Sequence, residues 1–123
     1  MTWLVALFGI GFTAFGGWAA IDPASFPAAE FPPYNQHFIH DVAATFLAFG
    51  IGLLASVRTT AWRTPVLALA AVWNALHAVS HVIDVGRAST QAAGVHAVIE
   101  LVMVTVALVA LAWLSWRTDR SSA

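Results

Sequence analysis

The sequence predicts an all-α integral membrane protein, a four-helix bundle with both termini on the cytoplasmic side. Three observations predict it. Apolar residues fill 60% of the 123 positions and charged residues only 9%, against about 25% charged in an ordinary soluble domain. Four uninterrupted apolar stretches, about Trp3–Ile21, Ile39–Val57, Pro65–Val85 and Gly94–Trp116, account for most of the chain. Each matches the roughly 17–25 residues that cross hydrocarbon. The arginines, finally, are unevenly placed: hairpin-connected spans put Arg58, Arg63, Arg117 and Arg120 on the side of the termini and only Arg87 on the other. Positive residues favour the cytoplasm, so the termini are expected there.

The first span carries no charge, and Gly9, Thr13 and Gly17 lie four apart. Small residues at that spacing form a smooth stripe for a neighbouring helix. A cleaved leader is the competing reading, given the small residues Ala19 and Ala20. Against it stand the missing basic n-region and an apolar core longer than the usual 7–15 residues. Asp22-Pro23 ends the span. The connection to Gln36 carries Pro23, Pro27, Pro32 and Pro33 among Phe26, Phe31 and Tyr34. Prolines fix backbone angles and remove donors, so this is an extended, semi-rigid loop. Its aromatic residues are expected at headgroup level, folding the loop over the mouth of the bundle.

Asn35 is the expected cap of span two. There His40, Ala44, Ala48, Gly52 and Ser56 form a row at four-residue spacing that is expected to face inward and carry His40 with it. Arg58–Arg63 is a short basic turn. Thr64-Pro65 has the cap-and-first-position signature that starts span three, Gly86 is placed to end it, and Ser89 or Thr90 caps span four. Trp3, Trp62, Trp113 and Trp116 fall near one interface, as an aromatic belt does. No internal repeat or low-complexity tract is present. Without cysteine, disulfides and thiolate metal sites are excluded. Five basic residues and a net charge of −1 give no footprint for nucleic acid.

The candidate chemistry lies in the outer half. Asn74, His77, His81 and Asp84 are spaced three, four and three apart, which stacks them on one side of a helix. All five histidines, His37, His40, His77, His81 and His96, share that half with Asp22, Glu30, Asp41, Asp84 and Glu100. At a rise of about 1.5 Å per residue, His77 and Glu100 both lie roughly 10 Å below their helix ends. Three helices thus offer imidazole and carboxylate at matched depth. That donor set suits zinc, iron, copper or manganese. His77 and His81 have the i,i+4 spacing by which helices chelate metals, and His96 and Glu100 repeat it.

The expected metal ligands are therefore His40, His77, His81, Asp84, His96 and Glu100, with Asp41 and Asn74 orienting them from behind. As an enzyme, such a protein would be a metal-dependent oxidoreductase or hydrolase acting on an apolar small molecule. Two other readings stand beside it. One is a non-catalytic accessory or assembly subunit, in contact with a membrane-protein partner or with further copies of itself, whose polar cluster only glues helices together. The other is a proton-relay, quinone or haem-binding subunit. His37 is read as a loop residue and Trp73 as packing or lipid-facing.

The strings Tyr34-Asn-Gln-His-Phe-Ile-His-Asp41 and His77-Ala-Val-Ser-His-Val-Ile-Asp84 resemble those of small four-span membrane proteins of bacteria, a grouping loosely called DoxX-like. The resemblance implies the fold and a place in the bacterial inner membrane, with the lipid bilayer as partner. It implies no activity and no ligand set.

Overall fold

The computed structural model describes residues 1–26 and 33–121. The expectations for Pro27, Glu30, Phe31 and Pro32 of the proline-rich connection fall outside the described residues. Helix α1 runs Thr2–Ile21, α2 Gln36–Arg58, α3 Arg63–Asp84 and α4 Gln91–Ser121. Each is long and apolar enough to cross a membrane. No strand occurs among the described residues.

Local chemistry sets the boundaries. Asn35 caps α2, its Oδ1 accepting the Phe38 N–H at 3.1 Å. Thr90 caps α4 through the Ala93 N–H at 3.1 Å. The start of α3 differs from expectation. A 3₁₀ turn, Thr60–Trp62, precedes it, the Arg63 N–H bonds to Thr60 O, and no side chain caps the helix. Pro65 costs nothing in this first turn, where amides have no helical partner. Thr64 is thereby released from capping, and its hydroxyl donates to Asp119 Oδ2 at 2.8 Å while lying 2.7 Å from Ser115 Oγ. Gly86 sits inside a second 3₁₀ turn, Val85–Arg87, and an added Cβ there would meet nothing. The glycine this corner requires is Gly94, whose added Cβ would come 2.7 Å from Val85 O.

The helices pack in chain order. Helices α1 and α2 approach most closely, because Gly9, Gly16 and Gly50 leave no room for a side chain. A Cβ on Gly16 would lie 2.9 Å from Ala43 O, and one on Gly50 would run into Thr13 Oγ1. The stripe on α1 is thus Gly9, Thr13 and Gly16, with Gly17 facing empty space. Phe12 and Phe15 cover Phe46 at 5.4 and 4.9 Å between ring centroids. Phe26, expected at headgroup level, is instead 3% exposed and packs edge-on to Phe15 at 4.6 Å. A tether holds it: Ser25 donates to Asp22 Oδ2 at 2.6 Å and accepts the Trp18 Nε1–H at 2.8 Å.

The seam between α2 and α3 is shorter. Trp73 stands against Phe46 and Phe49 at 5.1 and 5.5 Å, and Arg63, 8% exposed, reaches Val57 O at 3.4 Å. Helices α3 and α4 close the set, joined by Thr64–Ser115 below and Asn74–Thr105 above. Trp3, Trp62, Trp113 and Trp116 are all exposed at the end that carries the termini. Arg117 and Arg120 lie over Trp113 and Trp116 at 4.8 and 4.2 Å.

The small-residue row of α2 is corrected. The buried row is Ile39, Ala43, Phe46, Gly50 and Leu53, whereas His40, Ala44 and Ala48 are exposed and only Ser56 is buried. Four residues turn a helix about 40° past a full revolution. Over the four steps from His40 to Ser56 that drift is about 160°, which carries the row from one side of α2 nearly to the other. Gly50→Ala should accordingly lower unfolding stability by about 1–3 kcal/mol, the cost of overpacking a close helix contact. Ala48→Leu should leave it unchanged. Reversible unfolding of the detergent-solubilised chain measures both.

Candidate functional site

The register of α3 against α4 comes first, because it fixes depth. Thr64 lies opposite Ser115, Asn74 opposite Thr105 and Val85 opposite Gly94. Continuing that antiparallel register sets His96 level with Ile83, Glu100 with Val79 and Met103 with Leu76. Glu100 is then six residues, about 9 Å, below the α3–α4 corner and His77 eight residues, about 12 Å. The matched depth expected from the sequence is present. The convergence is not.

Among the described residues, no three His, Asp or Glu side chains stand close enough to hold a metal ion. Each carboxylate of the expected set is instead engaged by a neighbour on its own helix or corner. Asp84 Oδ1 meets Arg87 Nη1 at 3.0 Å. Glu100 Oε1 meets His96 Nε2 at 3.0 Å, with side chains 64% and 74% exposed. Asp41 Oδ2 lies 3.7 Å from His37 Nε2, both largely exposed, and His40 is exposed beside them. Below Glu100 the same face of α4 continues as Val104, half-buried, and Leu111, 5% exposed. Glu100 therefore stands where the packed face of α4 comes out to the surface. The face bearing His96 continues through Met103 and Ala110, exposed throughout.

On α3 the row divides. Steps of three, four and three rotate successive positions by about −60°, +40° and −60°. Asn74 and Asp84 therefore sit about 80° apart on the helix. Asn74, 1% exposed, points at α4. Its Nδ2 donates to Leu101 O and to Thr105 Oγ1, both at 2.7 Å, and Thr105 in turn donates to Leu101 O at 2.8 Å. It is a clamp between α3 and α4. His77 turns toward the α2 side, its ring stacked on Trp73 at 5.1 Å and 10° between planes. His81 follows edge-on to His77 at 4.7 Å. Both imidazoles are half-buried.

Of the predicted residues the structure thus brings together two pairs, His96 with Glu100 and His77 with His81, and the second has an aromatic support in Trp73. Trp73 is four residues before His77 and eight before His81, and that i,i+4,i+8 run was the available signal. Phe46 and Phe49, which hold Trp73 from α2, carried none. The ladder Trp73–His77–His81 prolongs the packed surface of α3 toward the α3–α4 corner. Its chemistry is that of a flat aromatic surface bearing imidazole donors and acceptors within an apolar belt.

The chain matches no family model, no curated protein and no solved structure.

Removing the Asn74 amide takes away two interhelical hydrogen bonds. Asn74→Ala should cost about 1–2 kcal/mol of unfolding free energy, at the upper end for polar contacts between membrane helices. Thr105→Val should cost less, and His40→Ala nothing measurable.

Proposed function

We propose that this chain is a multi-pass protein of the bacterial cytoplasmic membrane, with both termini inside. Its outer half binds a membrane-dissolved small molecule with a flat, hydrogen-bonding ring, of the quinone class, on the Trp73–His77–His81 ladder. The observation that carries this reading is the stacked Trp73–His77 pair at 5.1 Å and 10°, followed by His81 on the same ladder. Two imidazoles in an apolar span are costly unless they serve a purpose. Among the described residues no group of three His, Asp or Glu side chains gathers around them. A ring carbonyl or hydroxyl is the partner that imidazole nitrogens can address without a buried charge, and the aromatic wall suits the ring itself.

A transition metal is the second reading. It is favoured by the i,i+4 spacing of His77 and His81 and their 4.7 Å ring separation. It requires at least one more ligand from outside this pair, since structural and catalytic zinc sites use three or four protein ligands.

One titration separates the two. Purified protein in lipid nanodiscs is mixed with a decyl-tailed benzoquinone, and separately with zinc. On the favoured reading the quinone quenches tryptophan emission saturably, and His77→Ala weakens binding about tenfold, the factor of about 1.4 kcal/mol carried by one lost hydrogen bond. His37→Ala changes nothing. Stoichiometric zinc lost in His81→Ala, with no quinone binding, favours the metal. Binding of neither overturns both.

Orientation is tested separately. In intact cells an impermeant thiol reagent should label Ser89→Cys in the α3–α4 corner and spare Ser121→Cys at the end of α4. The opposite pattern would put the histidine-bearing end in the cytoplasm.

A further inference from the structure

Helix α4 is the least covered of the four, and it presents a histidine–carboxylate pair to its surroundings about two turns in from its start. His96 Nε2 and Glu100 Oε1 are 3.0 Å apart with side chains 74% and 64% exposed. The α3 residues level with them, Val79 and Ile83, are 54% and 73% exposed and wholly apolar, as is Leu76 one turn further in at 64%. On α4 itself Val95, Ile99, Val102 and Met103 surround the pair, each 44–67% exposed. A carboxylate in such a belt is costly, and intramembrane charges face protein or water where they occur. One imidazole on the same helix covers one oxygen. Glu100 Oε2 and His96 Nδ1 remain for a partner.

We infer that the His96–Glu100 face of α4 is covered by a second copy of this chain, packed about a two-fold axis along the membrane normal. Charge complementarity selects the occupant. The pair carries a donor nitrogen and an acceptor oxygen, so it is complementary to itself. In a symmetric pair (the commonest form of oligomer) the same residues meet at the same depth with no further condition. A different membrane protein would need its own donor and acceptor about 9 Å below its outer surface, and lipid tails offer neither. Each imidazole then bridges its own Glu100 and the partner's Glu100. Met103 lies one turn further along the same exposed face and Ala110 two turns beyond it, where a small side chain permits close approach.

The chain has no cysteine, so single-cysteine variants report on contact directly. Met103→Cys and, at the same depth on α3, Leu76→Cys are oxidised in native membranes and in reconstituted vesicles. Met103→Cys should give a disulfide dimer at twice the chain mass in both settings, and Leu76→Cys only background. Adding Glu100→Gln or His96→Leu to Met103→Cys should lower the dimer yield at limiting protein-to-lipid ratio about tenfold, the factor that about 1.4 kcal/mol carries. Equal cross-linking of the two cysteines would overturn the proposal. So would cross-links from Met103→Cys to other proteins alone, or a dimer yield untouched by both dyad substitutions. The cysteine variants keep the dyad intact, so the first comparison stands even if a dyad variant fails to accumulate.

Discussion

The Asn74 amide sets the register of this molecule. Its two hydrogen bonds to Leu101 O and Thr105 Oγ1 lie near the middle of the α3–α4 seam, where the side chain is buried and has no solvent to replace them. An amide that lost them would stay buried and unsatisfied, which is a larger penalty than the bonds' net worth. Sliding α4 by one residue would break both at once. The position of every polar group at the outer end follows from that pairing: Glu100 level with Val79, His96 with Ile83, and His77 about 12 Å from the corner.

The two hairpins are held by different physics. Between α1 and α2 there is no side-chain hydrogen bond among those found, and attraction rests on close approach. Gly9, Gly16 and Gly50 let backbone meet backbone, and the phenylalanines fill the remaining space. In lipid, where apolar surface gains little from leaving its solvent, such packing is the main source of helix association. Helices α3 and α4 carry polar clamps at two heights instead. Trp73 joins the halves through Phe46 and Phe49. Because His77 stacks on that tryptophan, the ladder sits beside the joint between the two hairpins.

How much of this could be read from the sequence follows from what each signal measures. Span length and composition report on transfer into hydrocarbon, and four helices stand where four apolar stretches were. Asn35 and Thr90 cap because their side-chain oxygens reach amides three residues on, a local event. Depth was legible too, being rise times residue count. Facing was not. The His40–Ser56 row looked like an inward stripe only because a four-residue step was treated as a full turn. The drift of about 40° per step places His40 outside and Ser56 inside. The same arithmetic separates Asn74 from Asp84. A metal cluster assembled from equal depths alone therefore assumed a convergence that rotation about each helix axis denies.

Local pairing occupies the carboxylates of the expected site. Asp84, Glu100 and Asp41 each have a positively chargeable neighbour three or four residues away: Arg87 for Asp84, His96 for Glu100, His37 for Asp41. Such pairs form within one helix or its corner and ask nothing of the tertiary fold. They leave the charges on the outside of the helices that bear them. His77 and His81 are different in kind. His77 is laid flat on a tryptophan that two phenylalanines of α2 hold in place, and His81 follows edge-on to it. What the fold sets against the His77 ring is an aromatic wall, Trp73 held by Phe46 and Phe49, built across the seam between α2 and α3 and not within one helix.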